Sequence, residues 1–127
     1  MKIAILNSVP YGSTGKIAYE ITKSAINQDN MVLLFFGYSS HPLSEIKMSR
    51  AFIGSKISKI THMILSNVFG LNGCFSFFLT LKFLVMLDRF EPDIIHLHNL
   101  HGWYINLPML FKYIKRHNIK TVWTLHD

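Results

Sequence analysis

Four short apolar runs with helix-periodic segments between them limit the folds open to this sequence. They are "KIAIL" (residues 2–6), "MVLLFF" (31–36), "DIIHLH" (93–98) and "KTVWTL" (120–125). Near-continuous apolar runs of this length suit strands buried on both faces. After the first run comes "SVPYGSTG" (8–15), dense in turn formers, in which Thr14 is the expected helix cap. Ile17, Ala18, Ile21 and Ala25 then recur at helical spacing. "GYSSHPLS" (37–44) and "NLHGW" (99–103) are expected loops. Ile53, Ile57, Ile60, Ile64 and Val68 step by three or four, which makes an amphipathic helix with Lys56 and Lys59 beside the stripe. "GLNG" (70–73) breaks it, and a greasier helix follows over about 75–89. Another helix is expected over 104–116, carrying Leu107, Leu110, Phe111 and Ile114. Strands alternating with crossover helices give a parallel sheet covered by helices on both faces, an α/β, Rossmann-like fold. At 127 residues the chain makes a single domain, 1–127, and it shows no internal repeat.

The charge of +6 is unevenly placed. No Asp or Glu occurs from Ile46 to Leu87, whereas Lys47, Arg50, Lys56, Lys59 and Lys82 all do. The same stretch holds "FSFFLTLKFLVML" (75–87), well short of the roughly 20 apolar residues that cross a bilayer. Basic and apolar residues without acid suit an anionic membrane surface. A core helix with solvated lysines is the competing reading. The single cysteine, Cys74, excludes an internal disulfide and a cysteine-based zinc site, and fits a reducing compartment. The N-terminal apolar run is too short for a signal peptide, so it is expected to be the first strand of a cytoplasmic protein.

In a parallel sheet every strand-to-helix loop leaves from one edge, where ligands bind. "YGSTGK", "NLHGWY" and the final "HD" therefore converge on one cleft. Gly12, Ser13, Thr14, Gly15 and Lys16 suit a diphosphate at a helix N-terminus, and a plain tight turn is the alternative. They are not a Walker loop, because Pro10 and Ile17 stand where Gly and Ser or Thr are needed. His96, His98 and His101 share the spacing of H-x-H-x-D-H, the dinuclear motif of hydrolases resembling metallo-β-lactamases. Leu100 stands where its aspartate belongs, so hydrogen-bonded core histidines are expected and no metal is. His126 is expected at the cleft rim, where an imidazole can exchange a proton near neutral pH, unless it is simply frayed.

Taken together, "NSVPYGSTGKIAYEI", "PDIIHLHNLHGWYINLPMLFKYIK" and "TVWTLHD" resemble the N-terminal half of family 4 glycosyltransferases, retaining enzymes of the GT-B architecture, in the subset that builds bacterial surface polysaccharides. The resemblance implies an acceptor-side domain facing a C-terminal domain that grips a nucleotide sugar, with no metal or other cofactor. It implies that Gly12, Ser13, Thr14, Gly15 and Lys16 approach the donor diphosphate. It places His126 beside the transferred sugar as the catalytic candidate, and Asn99, His101 and Gly102 on the acceptor loop. The acceptor would be a glycan or a lipid-linked sugar, with the basic helices on the inner face of the cell membrane and no nucleic acid among the partners. "GCFSFFLTLKFLVM" departs from the relatives in being more apolar. The C-terminal domain is not among these residues, so they are expected to be inactive alone and to need the donor half, from a second chain if the enzyme is split. A non-catalytic, membrane-associated binding module is the alternative, and a metal-dependent hydrolase a more distant one.

Overall fold

The computed structural model describes residues 1–39 and 50–126, with Arg50 described by its backbone. Residues 40–44 of the expected loop, and Asp127, lie outside the described residues. The elements run β1 (Lys2–Asn7), α1 (Gly12–Asn27), β2 (Met31–Phe36), β3 (Arg50–Phe52), α2 (Lys56–Phe69), α3 (Phe77–Phe90), β4 (Ile94–Leu97), α4 (Leu107–His117) and β5 (Lys120–Trp123). The five strands form one sheet in the order β3-β2-β1-β4-β5. Every pair is parallel, with Ile5 level with Leu34 on one side and with His96 on the other. This is the expected Rossmann-like α/β architecture.

Alternation along the strands builds two cores. Ile5, Val32, Leu34 and Phe36 face Ala18, Ile21 and Ala25 of α1. Ala4, Leu6, Phe35, Ile95 and Leu97 face the other way, onto Phe83 and Leu87 of α3 and Leu110 of α4. Helices therefore cover both faces, and the central strands are as apolar as a sheet buried on both sides requires.

Several local expectations change. The three-residue β3 is too short to leave a periodic signal, and it extends the sheet beyond β2. Helix α1 begins at Gly12, so Thr14 lies within its first turn and caps nothing; Tyr11 is the N-cap and makes no side-chain capping bond. Helix α4 begins at Leu107 rather than 104, because Asn106 caps it, its Oδ1 accepting from Met109 N at 3.0 Å. Tyr104 is instead a buried anchor whose hydroxyl donates to Asn99 O at 2.9 Å. Strand β5 is an edge strand with all four residues exposed, not a buried one.

Helix α2 departs most. It is amphipathic and begins at a Ser55–Ser58 capping box, but only Ile53, ahead of the helix, reaches the core. Ile57, Ile60, Ile64 and Val68 are exposed, while His62 and Ser66 are buried. The inward side is held by polar and aromatic contacts instead. His62 Nδ1 lies 2.7 Å from Ser76 Oγ, and its ring meets the ring of Phe75 edge-on at 5.7 Å. Helix α3 divides between the two sequence readings. Thr80, Phe83, Leu84 and Leu87 are buried, and Phe77, Phe78, Leu81 and Val85 are exposed. No helix among the described residues is long and apolar enough to cross a membrane.

Candidate functional site

From β1 the chain turns toward β2, and from β4 it turns the opposite way toward β5. The crevice between the carboxyl ends of β1 and β4 is thus the topological switch point, where open α/β sheets bind ligands. Asn7 closes its floor. The buried side chain accepts from Asn99 N through Oδ1 at 3.3 Å and donates to Val9 O through Nδ2 at 2.9 Å. One amide therefore ties the loop after β4 to the turn after β1. Gly102 rests on the same place, since a Cβ there would lie 3.4 Å from Ser8 Cβ.

The turn after β1 leads directly into the first turn of α1. Gly12 adopts φ +74°, a conformation that favours glycine. Gly15 is buried, and a Cβ on it would lie 2.6 Å from the carbonyl carbon of Pro10, so its lack of a side chain lets α1 sit on the turn. Gly12, Ser13 and Lys16 are exposed, and no acidic residue lies in this first turn. Helix N–H groups, a partial positive charge and a lysine together favour an anion here.

On the other side of the switch point, period-two alternation along β4 puts His96 and His98 on one face, with ring centroids 4.3 Å apart. His96 Nε2 lies 2.8 Å from Thr124 Oγ1, and His98 Nδ1 lies 3.0 Å from His126 Nε2. Burial, reinforced by His96 and His126, pushes the His98 imidazole down to about 4. Burial and then His126 lower His96 as well. Both rings are thus neutral at pH 7. His126 thus has a partner in the buried His98 ring, with ring centroids 5.3 Å apart. His98 Nε2 and Asn99 Oδ1 are buried and find no partner among the described residues.

A cavity of about 230 Å³ opens here, lined by His98, Asn99, His101, Leu107, Trp123 and His126 among others. Asn99 and His101, from the loop after β4, and His126, from beyond β5, therefore line one cavity. Gly102 lies behind it on Ser8, and Gly12, Ser13, Thr14, Gly15 and Lys16 do not line it. His96 and His98 are engaged by Thr124 and His126. Among the described residues no group of three or more His, Cys, Asp or Glu has the arrangement of a metal site.

Sequence reasoning missed three contributors. Asn7 leaves no signal in the sequence beyond being a polar residue after an apolar run. Trp123 donates from Nε1 to His98 O at 3.1 Å and walls the cavity. His98 holds His126, and the H-x-H spacing was its available signal, since that spacing puts both rings on one face. No protein-family model matches the chain, and no curated protein matches it either.

Proposed function

We propose that these residues are the acceptor-side half of a retaining glycosyltransferase of family 4 type, acting on a glycan or lipid-linked sugar with a nucleotide sugar as donor. The observation that carries this reading is the meeting of Asn99, His101 and His126 around one cavity at the switch point of a parallel sheet. The acid-free N-terminus of α1, beside the same crevice, supports a diphosphate site at Gly12–Lys16.

In the transfer, the bond between the sugar's anomeric carbon and the diphosphate oxygen breaks. A bond from that carbon to an acceptor hydroxyl oxygen forms, the hydroxyl proton passes to the departing diphosphate oxygen, and the nucleoside diphosphate leaves. His126, its ring held by His98, hydrogen-bonds the transferred sugar. Asn99 and His101 orient the acceptor hydroxyl, and the α1 N–H groups with Lys16 stabilise charge growing on the departing diphosphate. The donor-gripping wall is supplied by residues outside these 127, so appreciable turnover needs that second half.

Saturation-transfer NMR of the chain against a panel of mono- and oligosaccharides tests the reading. At least one sugar should bind, and His126→Ala and Asn99→Ala should each weaken it about tenfold, the loss of one or two hydrogen bonds to the ligand. A panel without a binder, or a binder indifferent to both substitutions, would defeat the proposal. A binding module without catalysis would bind the same sugars yet show no transfer when a donor half is supplied.

A further inference from the structure

Ser76 stands immediately before α3 in a conformation that serine rarely adopts. Its φ is +63° and its ψ +35°, in the left-handed region. That costs a residue with a Cβ about 1 kcal/mol or more, and such strain persists only where surrounding contacts hold it. The contact here is a histidine: His62, from α2, is 1% exposed, and its Nδ1 lies 2.7 Å from Ser76 Oγ.

A serine in this position ordinarily caps the helix, turning Oγ onto the first N–H groups. Ser76 turns to His62 instead and makes no capping bond. The first bond of the helix runs from Thr80 N to Ser76 O at 2.9 Å, which leaves the N–H groups of Phe77 and Phe78 for another acceptor. His62 Nε2 is buried with no partner among the described residues. With the ring's one proton on Nε2, Nδ1 accepts from the Ser76 hydroxyl. Burial lowers the pKa of His62, so the ring is neutral at pH 7 and can take a proton.

Ser76 and His62 also line a cavity of about 270 Å³, with Leu65, Phe75, Phe77 and Phe78 among its apolar walls. Ser76 is partly exposed there. No residue lines both this cavity and the one at the switch point. A hydroxyl paired with a base, open N–H groups beside it and an apolar pocket in front are the parts that acyl transfer needs.

We propose that Ser76 and His62 form a second site, a serine–histidine dyad that hydrolyses esters of small apolar acyl groups. It does not rest on the transferase reading. Ser76 Oγ bonds to the ester's carbonyl carbon as its proton passes to His62 Nδ1, and the N–H groups of Phe77 and Phe78 hold the negative oxygen. The bond from that carbon to the alkoxy oxygen breaks, and the alcohol leaves with the proton from Nδ1. Water then attacks the acyl-serine in the same way, releasing the acid and restoring the hydroxyl. No carboxylate holds His62 Nε2, so turnover should be slower than that of a full triad.

The full chain, treated with a fluorophosphonate and mapped by mass spectrometry, should carry its adduct on Ser76. It should also hydrolyse p-nitrophenyl butyrate, and Ser76→Ala and His62→Gln should each lower the rate about a hundredfold. Should His62→Gln fail to fold by circular dichroism, Ser76→Cys replaces it. Its new thiol, beside an imidazole, should react with iodoacetamide at pH 7 about tenfold faster than free cysteine. No adduct on Ser76, hydrolysis that survives Ser76→Ala, or a thiol at 76 no faster than free cysteine overturns the proposal.

Discussion

His98 Nδ1 and His126 Nε2 lie 3.0 Å apart, so the histidine just past β4 and the one beyond β5 share a hydrogen bond. His98 is buried and His126 half-buried on the cavity wall. The buried ring thus sets the orientation of the one that can meet a ligand.

Acid should destabilise the fold through His98. The His98 pKa is lowered from 6.5 to about 4, and those of His96 and His62 are lowered too, chiefly by burial. Below 6.5 the unfolded chain binds protons that the folded chain refuses, so the stabilisation from His98 is present above 6.5 and is lost as pH falls toward 4. The full loss is about 3 kcal/mol for His98. Urea melts at pH 7 and pH 5 should show a lower midpoint at pH 5, and His98→Gln should flatten the difference. Equal midpoints in the parent protein would contradict the burial argument.

Gly12 and Gly15 should fail for different reasons when changed to alanine. Gly15→Ala drives a Cβ into the Pro10 backbone and should cost about 1–3 kcal/mol by overpacking. Gly12→Ala meets no atom within 4 Å but must hold φ +74°, which should cost about 1–2 kcal/mol. Chemical denaturation measures both losses. A D-alanine placed at position 12 by synthesis should recover the Gly12 loss, whereas one at 15 should not restore parent stability.

Asn7→Leu should loosen the switch point. It removes the acceptor for Asn99 N–H and the donor to Val9 O, leaving two half-buried groups unpaired at about 1–2 kcal/mol. Amide hydrogen exchange at Asn99 should accelerate more than exchange in α1. Uniform acceleration would mean that Asn7 stabilises the fold without positioning the loop.

Asn106 serves two elements at once. Its Oδ1 caps α4, its Nδ2 donates to Cys74 O, and its backbone N–H is held by Thr80 Oγ1 at 2.8 Å. Asn106→Ala should cost about 2–3 kcal/mol, and Asn106→Asp should restore about 1 kcal/mol by rebuilding only the cap. Thermal melts of the two variants check the order. If Asp matched the parent protein, the bond to Cys74 would contribute nothing.

The sequence by itself determined β1, β2 and β4, their common direction, the helices between them and the sheet edge at which the chemistry gathers. Those properties are written locally, in run length and in three-to-four-residue spacing, and crossover connections leave parallel pairing as the outcome. The loops that carry Asn99, His101 and His126 were legible for the same reason, as segments that follow strands, whereas the choice of Asn99 and His101 within them rests on the resemblance. Only the tertiary structure decided that His98 would seat His126, because that contact needs β5 in register beside β4, with Leu97 level with Trp123. It also decided that β5 would be an exposed edge and that α2 would turn its isoleucines outward. Periodicity shows that a helix has an apolar face; what that face meets depends on which elements arrive beside it, and those contacts join residues far apart in the chain.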